Sequence, residues 1–316
     1  MPLASGPLAL QSTAFRIGTR GSPLALIQAE ETRSRLANAT GIDPTAIAIE
    51  AIRTTGDVIT DRPLADAGGK GLFTKEIDEA LLAGRIDIGV HSAKDLATRL
   101  PGRIAIVACL PRVDVRDAFI SPLAATLESL PKGAVLGTSS LRRKALALRA
   151  RPDLVVVDLR GNVDTRLAKI QRGDAQATLL AAAGLTRLGL SDRAQSFLEV
   201  VDWLPAPGQG AIAITARADD TVTRHHLALL DDRPTSLALA AERAYLKLLD
   251  GSCRTPIGGL ALIDGDRISF RGIIVKPDGS VAHEATRYGD AADGIAIGED
   301  AAAELVRLGG PDFFRG

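Results

Sequence analysis

The stretch Asp87-Ile88-Gly89-Val90-His91-Ser92-Ala93-Lys94-Asp95-Leu96 sets an imidazole, a hydroxyl, an ammonium and a carboxylate side by side. Ile86, Ile88 and Val90 alternate with Asp87 and Gly89, a period of two that predicts a strand ending near Val90. The polar cluster then stands at the C-terminal end of that strand, where the loops of open α/β sheets line a ligand crevice. Lys94 beside Asp95 offers one small molecule both a cation and a carboxylate. The same residues also fit a solvated loop with an exposed ion pair of little energetic weight.

Other polar groups recur at predicted strand ends. Phe15 to Thr19 reads as a first strand, and Arg20-Gly21-Ser22-Pro23 turns it into a helix over Leu24 to Leu36, with Ser22 as N-cap and Pro23 at the first position. Free backbone N–H groups at that helix start, with Arg20 beside them, suit a carboxylate, and ordinary capping explains Ser22 equally well. Ile47 to Ile52 is a second strand followed by Arg53-Thr54-Thr55-Gly56-Asp57. Gly68-Gly69-Lys70-Gly71 runs into a helix over Phe73 to Ala83. It is not a P-loop, since Leu64 stands where that motif needs its first glycine. A lid loop with Lys70 at its apex and Phe73 at its base fits better.

Ile104 to Ala108 is a strand ending in Cys109, a small core residue, and Pro111 to Pro131 shows no period. Between Thr138 and Arg172 nine basic residues face three acids. Val135 to Gly137 is a strand, Thr138-Ser139-Ser140 a cap and Leu141 to Arg149 a helix, which puts Arg142 and Arg143 in a first turn. Cations there oppose the helix dipole unless an anion lies in front of them. Leu154 to Val157 reads as a buried strand leading through Arg160 to a helix over Val163 to Gln171 that carries Arg166. Thr178 to Ala182 is a strand with Arg187 beyond it, and Leu204 to Gly210 is a hinge-like linker before a strand over Ala211 to Thr215. The C-terminal part combines a helix over Pro234 to Leu249, a Gly251-Ser252-Cys253-Arg254 loop, three strands and a helix around Ala291 to Leu308.

Composition narrows the function classes. The chain has 316 residues, zero formal net charge and 3% aromatic residues, which disfavours general nucleic-acid binding. No apolar run approaches a membrane span, residues 1–13 read as a loose tail without a basic leader, and two cysteines make no disulfide framework. A cytoplasmic protein with neither membrane nor nucleic-acid partner fits best. His91, His225, His226 and His283 lack metal-ligand spacing, so no metal is expected.

Seven motifs occur in order: Arg20-Gly-Ser-Pro-Leu-Ala, Gly-Gly-Lys70-Gly-Leu-Phe, His91-Ser-Ala-Lys94-Asp95, Gly-Thr138-Ser-Ser140-Leu-Arg142-Arg143, Leu-Arg160-Gly-Asn-Val-Asp-Thr-Arg166, Pro-Gly-Gln209-Gly and Gly-Ser-Cys253-Arg-Thr-Pro-Ile-Gly. From Phe15 onward the chain closely resembles the hydroxymethylbilane synthase, or porphobilinogen deaminase, family. The resemblance implies an α/β fold of two periplasmic-binding-protein-like lobes, residues 14–112 with 210–230 and residues 113–209, and a small α+β domain over 231–316. It implies a dipyrromethane cofactor joined by a thioether to Cys253. The implied reaction joins four porphobilinogens head to tail with loss of ammonia, and water releases the linear tetrapyrrole.

Carried over residue by residue, the resemblance makes Asp95 catalytic, gives Ser92, Lys94, Thr138, Ser140, Arg142 and Arg143 to the cofactor, and gives Arg20, Ser22, Arg160, Arg166, Arg187 and Gln209 to substrate. It also implies a monomer. The chain departs from many relatives at Asp66, where a second loop lysine is common, so no role for that lysine carries over. Paired lobes with cleft arginines also describe a non-catalytic receptor for a small organic anion, which would need neither the third domain nor Cys253.

Overall fold

The computed structural model describes residues 14–58, 71–249 and 255–314. Lys70, Asp66, Cys253 and the tail 1–13 lie outside the described residues. In chain order, β1 (Phe15–Arg20), α1 (Pro23–Thr40), β2 (Ile47–Ile52), α2 (Thr55–Val58), α3 (Lys75–Leu82), β3 (Ile88–Ser92) and β4 (Ile104–Cys109) come first. Then follow β5 (Asp117–Ile120), β6 (Val135–Gly137), α4 (Leu141–Ala150), β7 (Val155–Val157), α5 (Val163–Arg172), β8 (Ala177–Ala181), α6 (Ala182–Arg187) and β9 (Ser196–Leu198). The chain ends with β10 (Ile212–Arg217), α7 (Thr221–Ala228), α8 (Arg233–Leu248), β11 (Ile257–Asp264), β12 (Arg267–Val275), β13 (Ala282–Asp290) and α9 (Gly294–Gly309).

Two five-stranded sheets share one layout. The first has the order β2-β1-β3-β10-β4 and the second β7-β6-β8-β5-β9. In each, three neighbouring strands are parallel and the fourth runs against them: β10 in the first, β5 in the second. Each antiparallel strand follows a segment that crosses from one sheet to the other, so the two sheets are tied together twice. A third, antiparallel sheet, β11-β12-β13, packs with α8 and α9 around Tyr245 and Phe270.

Local chemistry explains the element ends. The Ser22 hydroxyl accepts from the Ala25 amide at 3.3 Å with Pro23 in the first turn, so the predicted N-cap is present. Three expectations are corrected. Residues 111–131 contain β5, whose four residues are all buried and too short to show a period. Val155 in the strand expected to be buried is 51% exposed, because β7 is the edge of its sheet. The helix after the glycine-rich loop starts at Lys75, not Phe73, which sits in the turn before α3.

The third unit touches both sheets. Leu260, Ile273 and Val275 join the core of Phe119, Leu136 and Leu146, while Leu239 packs with Ala93, Leu96 and Ala213. The turn after β12 lies against α4 so closely that a Cβ on Gly279 would come within 2.5 Å of the Arg149 amide, and its φ of +78° also favours glycine. At the meeting point, fully buried Glu242 accepts from both terminal nitrogens of Arg112 at 2.7 and 3.1 Å and from the Gly208 and Ala261 amides. A buried ion pair survives desolvation only with such saturation. Among the described residues no helix is long and apolar enough to cross a membrane.

Candidate active site

β3 ends at Ser92, and Ala93–Asp95 follow as one 3-10 turn. This places Asp95 at the mouth of a pocket that Arg20, Ser22, Gln28, Phe73 and Ser92 also line. The Asp95 side chain is 33% exposed, and Arg20 Nη1 stands 3.6 Å from its Oδ2. Arg20 also grips Asp57, with Nε 3.2 Å from Oδ1, and its guanidinium lies 4.1 Å over the Phe73 ring. Burial would lift the Asp57 pKa, yet Arg20 and the Thr54 hydroxyl hold it below the usual carboxylate value. Ser92 donates to Gln28 Oε1 at 3.0 Å. Beneath them buried His91 lies 3.1 Å from the Thr215 hydroxyl. Burial, and then the Arg20 charge, push its pKa down to about 4, so its ring is neutral near pH 7.

The second sheet supplies the opposing charge. Thr138 Oγ1 accepts from the Ser140 amide at 3.2 Å, and the Ser140 hydroxyl caps α4 by accepting from the Arg143 amide at 3.4 Å. The anion that the sequence required in front of this helix is the protein's own Asp117. Its carboxylate accepts from Arg142 at 2.8 Å, Arg143 at 2.7 Å, the Trp203 indole at 2.8 Å and Gln209 at 2.9 Å. Burial opposes ionisation of Asp117, and the two guanidiniums override it and keep the group far below the usual range. Burial lowers the Arg142 pKa although Asp117 raises it. Among the described residues the buried Nε atoms of Arg142 and Arg143 have no hydrogen-bond partner.

Gln209, expected at the substrate, stands inside the protein. It is almost fully buried, its amide nitrogen donates to Asp117 and the Val115 carbonyl, and its Oε1 lies 3.4 Å from Lys94 Nζ. It therefore links the Asp117 cluster to the turn carrying Asp95 and has no free donor for substrate. Lys94 has no carboxylate within ion-pair distance among the described residues. Burial first, then Arg143, push its pKa down to about 8, against the pull of Asp95 and Asp117.

α5 brings a second pair of arginines. Asn162 caps it by accepting from the Thr165 amide at 2.9 Å. Arg160 Nε pairs with Asp158 at 2.7 Å, whereas Arg166 Nε, among the described residues, donates to the Gly161 carbonyl alone at 2.8 Å. Burial and then Arg143 push the Arg166 pKa down to about 10, with Asp95 acting in the opposite sense. Arg166 and Asp95, from different sheets, thus sense each other across the cleft. Arg187 is turned elsewhere, toward Glu31 and the Gly210 carbonyl. Asp117 escaped the sequence reading. The available signal was an acid opening the apolar run Asp117-Ala-Phe-Ile, directly after Arg116.

This donor set suits a ligand with several carboxylates: cations around the α4 and α5 starts stand opposite Asp95, whose side chain is one-third exposed. Two family models cover the chain, "Porphobilinogen deaminase, dipyromethane cofactor binding domain" over residues 15–225 and "Porphobilinogen deaminase, C-terminal domain" over residues 236–307. Among curated relatives, the porphobilinogen deaminase of Nitrobacter hamburgensis is 59% identical over 94% of this chain and 94% of its own. That of Paracoccus denitrificans is 54% identical over 95% and 96%. Solved structures similar to the chain include a nutrient binding protein from Burkholderia cenocepacia bound to methionine, 14% identical over 74% of this chain and 95% of its own, with TM-score 0.45. Another is a periplasmic substrate-binding protein of an ABC transporter from Coxiella burnetii, 16% identical over 72% and 96%, with TM-score 0.41. With both family models matched in order and more than half of its residues shared with full-length relatives, the chain belongs to the porphobilinogen deaminase family.

Proposed function

We propose that this chain is a transferase, a hydroxymethylbilane synthase, that condenses four porphobilinogens head to tail with loss of ammonia and releases the linear tetrapyrrole by hydrolysis. The observation that carries the reading is the charge of the cleft wall. Lys94, Arg142 and Arg143 cluster around a single buried carboxylate, Asp117, and Arg166 stands within reach of Arg143 and Asp95. Every porphobilinogen unit carries an acetate and a propionate, so a growing chain brings the carboxylates that this excess of cations lacks.

When bound at Cys253, the dipyrromethane supplies a free pyrrole α-carbon as nucleophile. Lys94, Arg142 and Arg143 would hold its carboxylates, with Ser92, Thr138 and Ser140 offering hydroxyls. Loss of ammonia from porphobilinogen leaves positive charge on its ring. Asp95 stabilises that charge at the pyrrole nitrogen and helps carry away the proton that the attacking α-carbon loses once the new bond has formed, which a carboxylate can do only in a cleft open to the ring. Arg20, Ser22, Arg160 and Arg166 bind substrate carboxylates, and Arg187 joins them on exchange of its present partner. The reading keeps Lys70 and Phe73 as lid-loop residues, of which Phe73 lines the pocket beside Arg20.

The reading divides the chain at residues 14–112 with 210–230, 113–209 and 231–316, following sheet membership. It is that of a cytoplasmic monomer without nucleic-acid or membrane partners, in keeping with its zero net charge.

The test is incubation of the purified protein with porphobilinogen, following substrate loss and ammonia release, with intact-protein mass spectrometry. The cofactor should add the mass of two porphobilinogens less two ammonias, and brief exposure to substrate should add single-ring increments. Cys253→Ala should show neither. Unmodified Cys253 in fully active protein overturns the anchored-cofactor mechanism, and tight binding without turnover would identify an anion receptor instead.

A further inference from the structure

Arg187 closes α6 with a side chain only 8% exposed, and all of its contacts are long. Nε lies 3.5 Å from Glu31 Oε2 without hydrogen-bond geometry, and Nη1 and Nη2 share the Gly210 carbonyl at 3.4 and 3.3 Å. Charge-assisted bonds of full strength run near 2.7–2.9 Å, the range in which Arg142 and Arg143 meet Asp117. A buried guanidinium without any carboxylate is costly. Glu31 therefore compensates the charge, and does so loosely.

The position of this contact gives it meaning. Glu31 belongs to α1, whose N-cap Ser22 lines the Asp95 pocket. Arg187 belongs to α6, which follows directly on β8, the neighbour of the Asp117 strand. Gly210 lies in the segment that crosses back from the second sheet to the first. Arg187 thus touches both units and the connection between them. Glu31 is not held by Arg187 alone. Its Oε1 accepts from Arg35 Nε at 3.2 Å, one turn further along α1, and its side chain is 30% exposed. It has a second partner and water to return to.

We propose that Glu31 is a displaceable counter-ion. It occupies Arg187 until a carboxylate of the pyrrole substrate takes the guanidinium, and Arg35 receives Glu31 when that exchange occurs. The proposal rests on the reading above that pyrrole carboxylates enter this cleft. Glu31 acts through Arg187 and is a positioning residue: its competition raises the substrate concentration needed for half-saturation and leaves the chemistry at Asp95 alone.

The experiment uses the full-length, cofactor-loaded protein with porphobilinogen as the probe. Glu31→Gln removes the competing charge and should lower KM about three- to tenfold, the worth of one loose ion pair, with kcat within about twofold of the parent. Arg35→Ala removes the alternative partner at an exposed position and should shift KM upward. If Glu31→Gln does not fold, the sign of the Arg35→Ala shift decides. An unchanged or raised KM in Glu31→Gln, or an unchanged or lowered KM in Arg35→Ala, overturns the counter-ion role in a parent that turns over normally. A parent that consumes no porphobilinogen defeats the functional reading, and the proposal with it.

Discussion

α4 and α5 both begin at a strand end with a polar cap and carry arginines around that start, in the first turn of α4 and on either side of the Asp164-bearing first turn of α5, and they treat those arginines in opposite ways. At α4 the guanidiniums are buried, gripped by Asp117 at 2.7–2.8 Å and tied through Gln209 to Lys94. At α5 Arg160 holds a half-exposed aspartate, and Arg166 holds only a carbonyl while repelled by Arg143 and Arg160. The first pair is fixed before any ligand arrives, and the second is left to be completed by one. Preorganisation and availability are thus divided between two helix starts of one sheet.

The comparison breaks most severely at Asp117. Asp117→Asn should cost about 3–5 kcal/mol in urea unfolding, because removing one member of a buried ion cluster strands the others, and the sole tryptophan should report it as a fluorescence change. A loss under about 1 kcal/mol, well below that range, would mean that α4 is no more fixed than α5.

Arg166→Leu should act on function instead. We expect kcat/KM for porphobilinogen to fall about ten- to a hundredfold, the worth of one charge-assisted contact, with stability within about 0.5 kcal/mol of the parent. Unfolding without a kinetic defect in the soluble fraction would reverse the assignment.

Lys94 sharpens the contrast through pH. Its folded pKa of about 8 lies below the ordinary 10.5. Above about pH 8 the folded protein has released a proton that the unfolded chain still holds, so stability rises between those two values. Over the same window the free ammonium fraction, and with it anion affinity, drops about tenfold per pH unit. Titration of KM and of the urea midpoint should show both trends, and Lys94→Met should flatten them.

The smallest effect is the control. Asn162→Ala removes the α5 cap and should cost about 1 kcal/mol, as caps generally do, with little change in KM. A large KM change would mean that the α5 start, like that of α4, is tuned for the ligand by its cap.

Local grammar made much of this legible. Ser22-Pro23 and Thr138-Ser139-Ser140 marked helix starts because capping is settled by neighbours in sequence, and the α4 arginines declared a missing anion. The identity of that anion was out of reach. Asp117 meets Arg142 only once β5 pairs against β8, and four residues of strand leave no periodic trace. The burial of Gln209 and the turn of Arg187 toward Glu31 likewise depend on how two units meet, which no local pattern encodes. Arg20, Ser22, Ser92 and Asp95, which the ordered motifs singled out, line one pocket.

The place of β10 imposes an order on biosynthesis. Among the described residues β4 is an edge strand paired with β10 alone, which lies more than a hundred residues later in the chain. A nascent polypeptide therefore exposes the apolar β4 segment, Ile104–Cys109, throughout synthesis of the whole second sheet, whose strands all lie between Asp117 and Leu198. The middle unit can fold on emergence, while the first waits with an open edge until Arg217 has been added. That interval is when this protein is most exposed to aggregation and most in need of a chaperone.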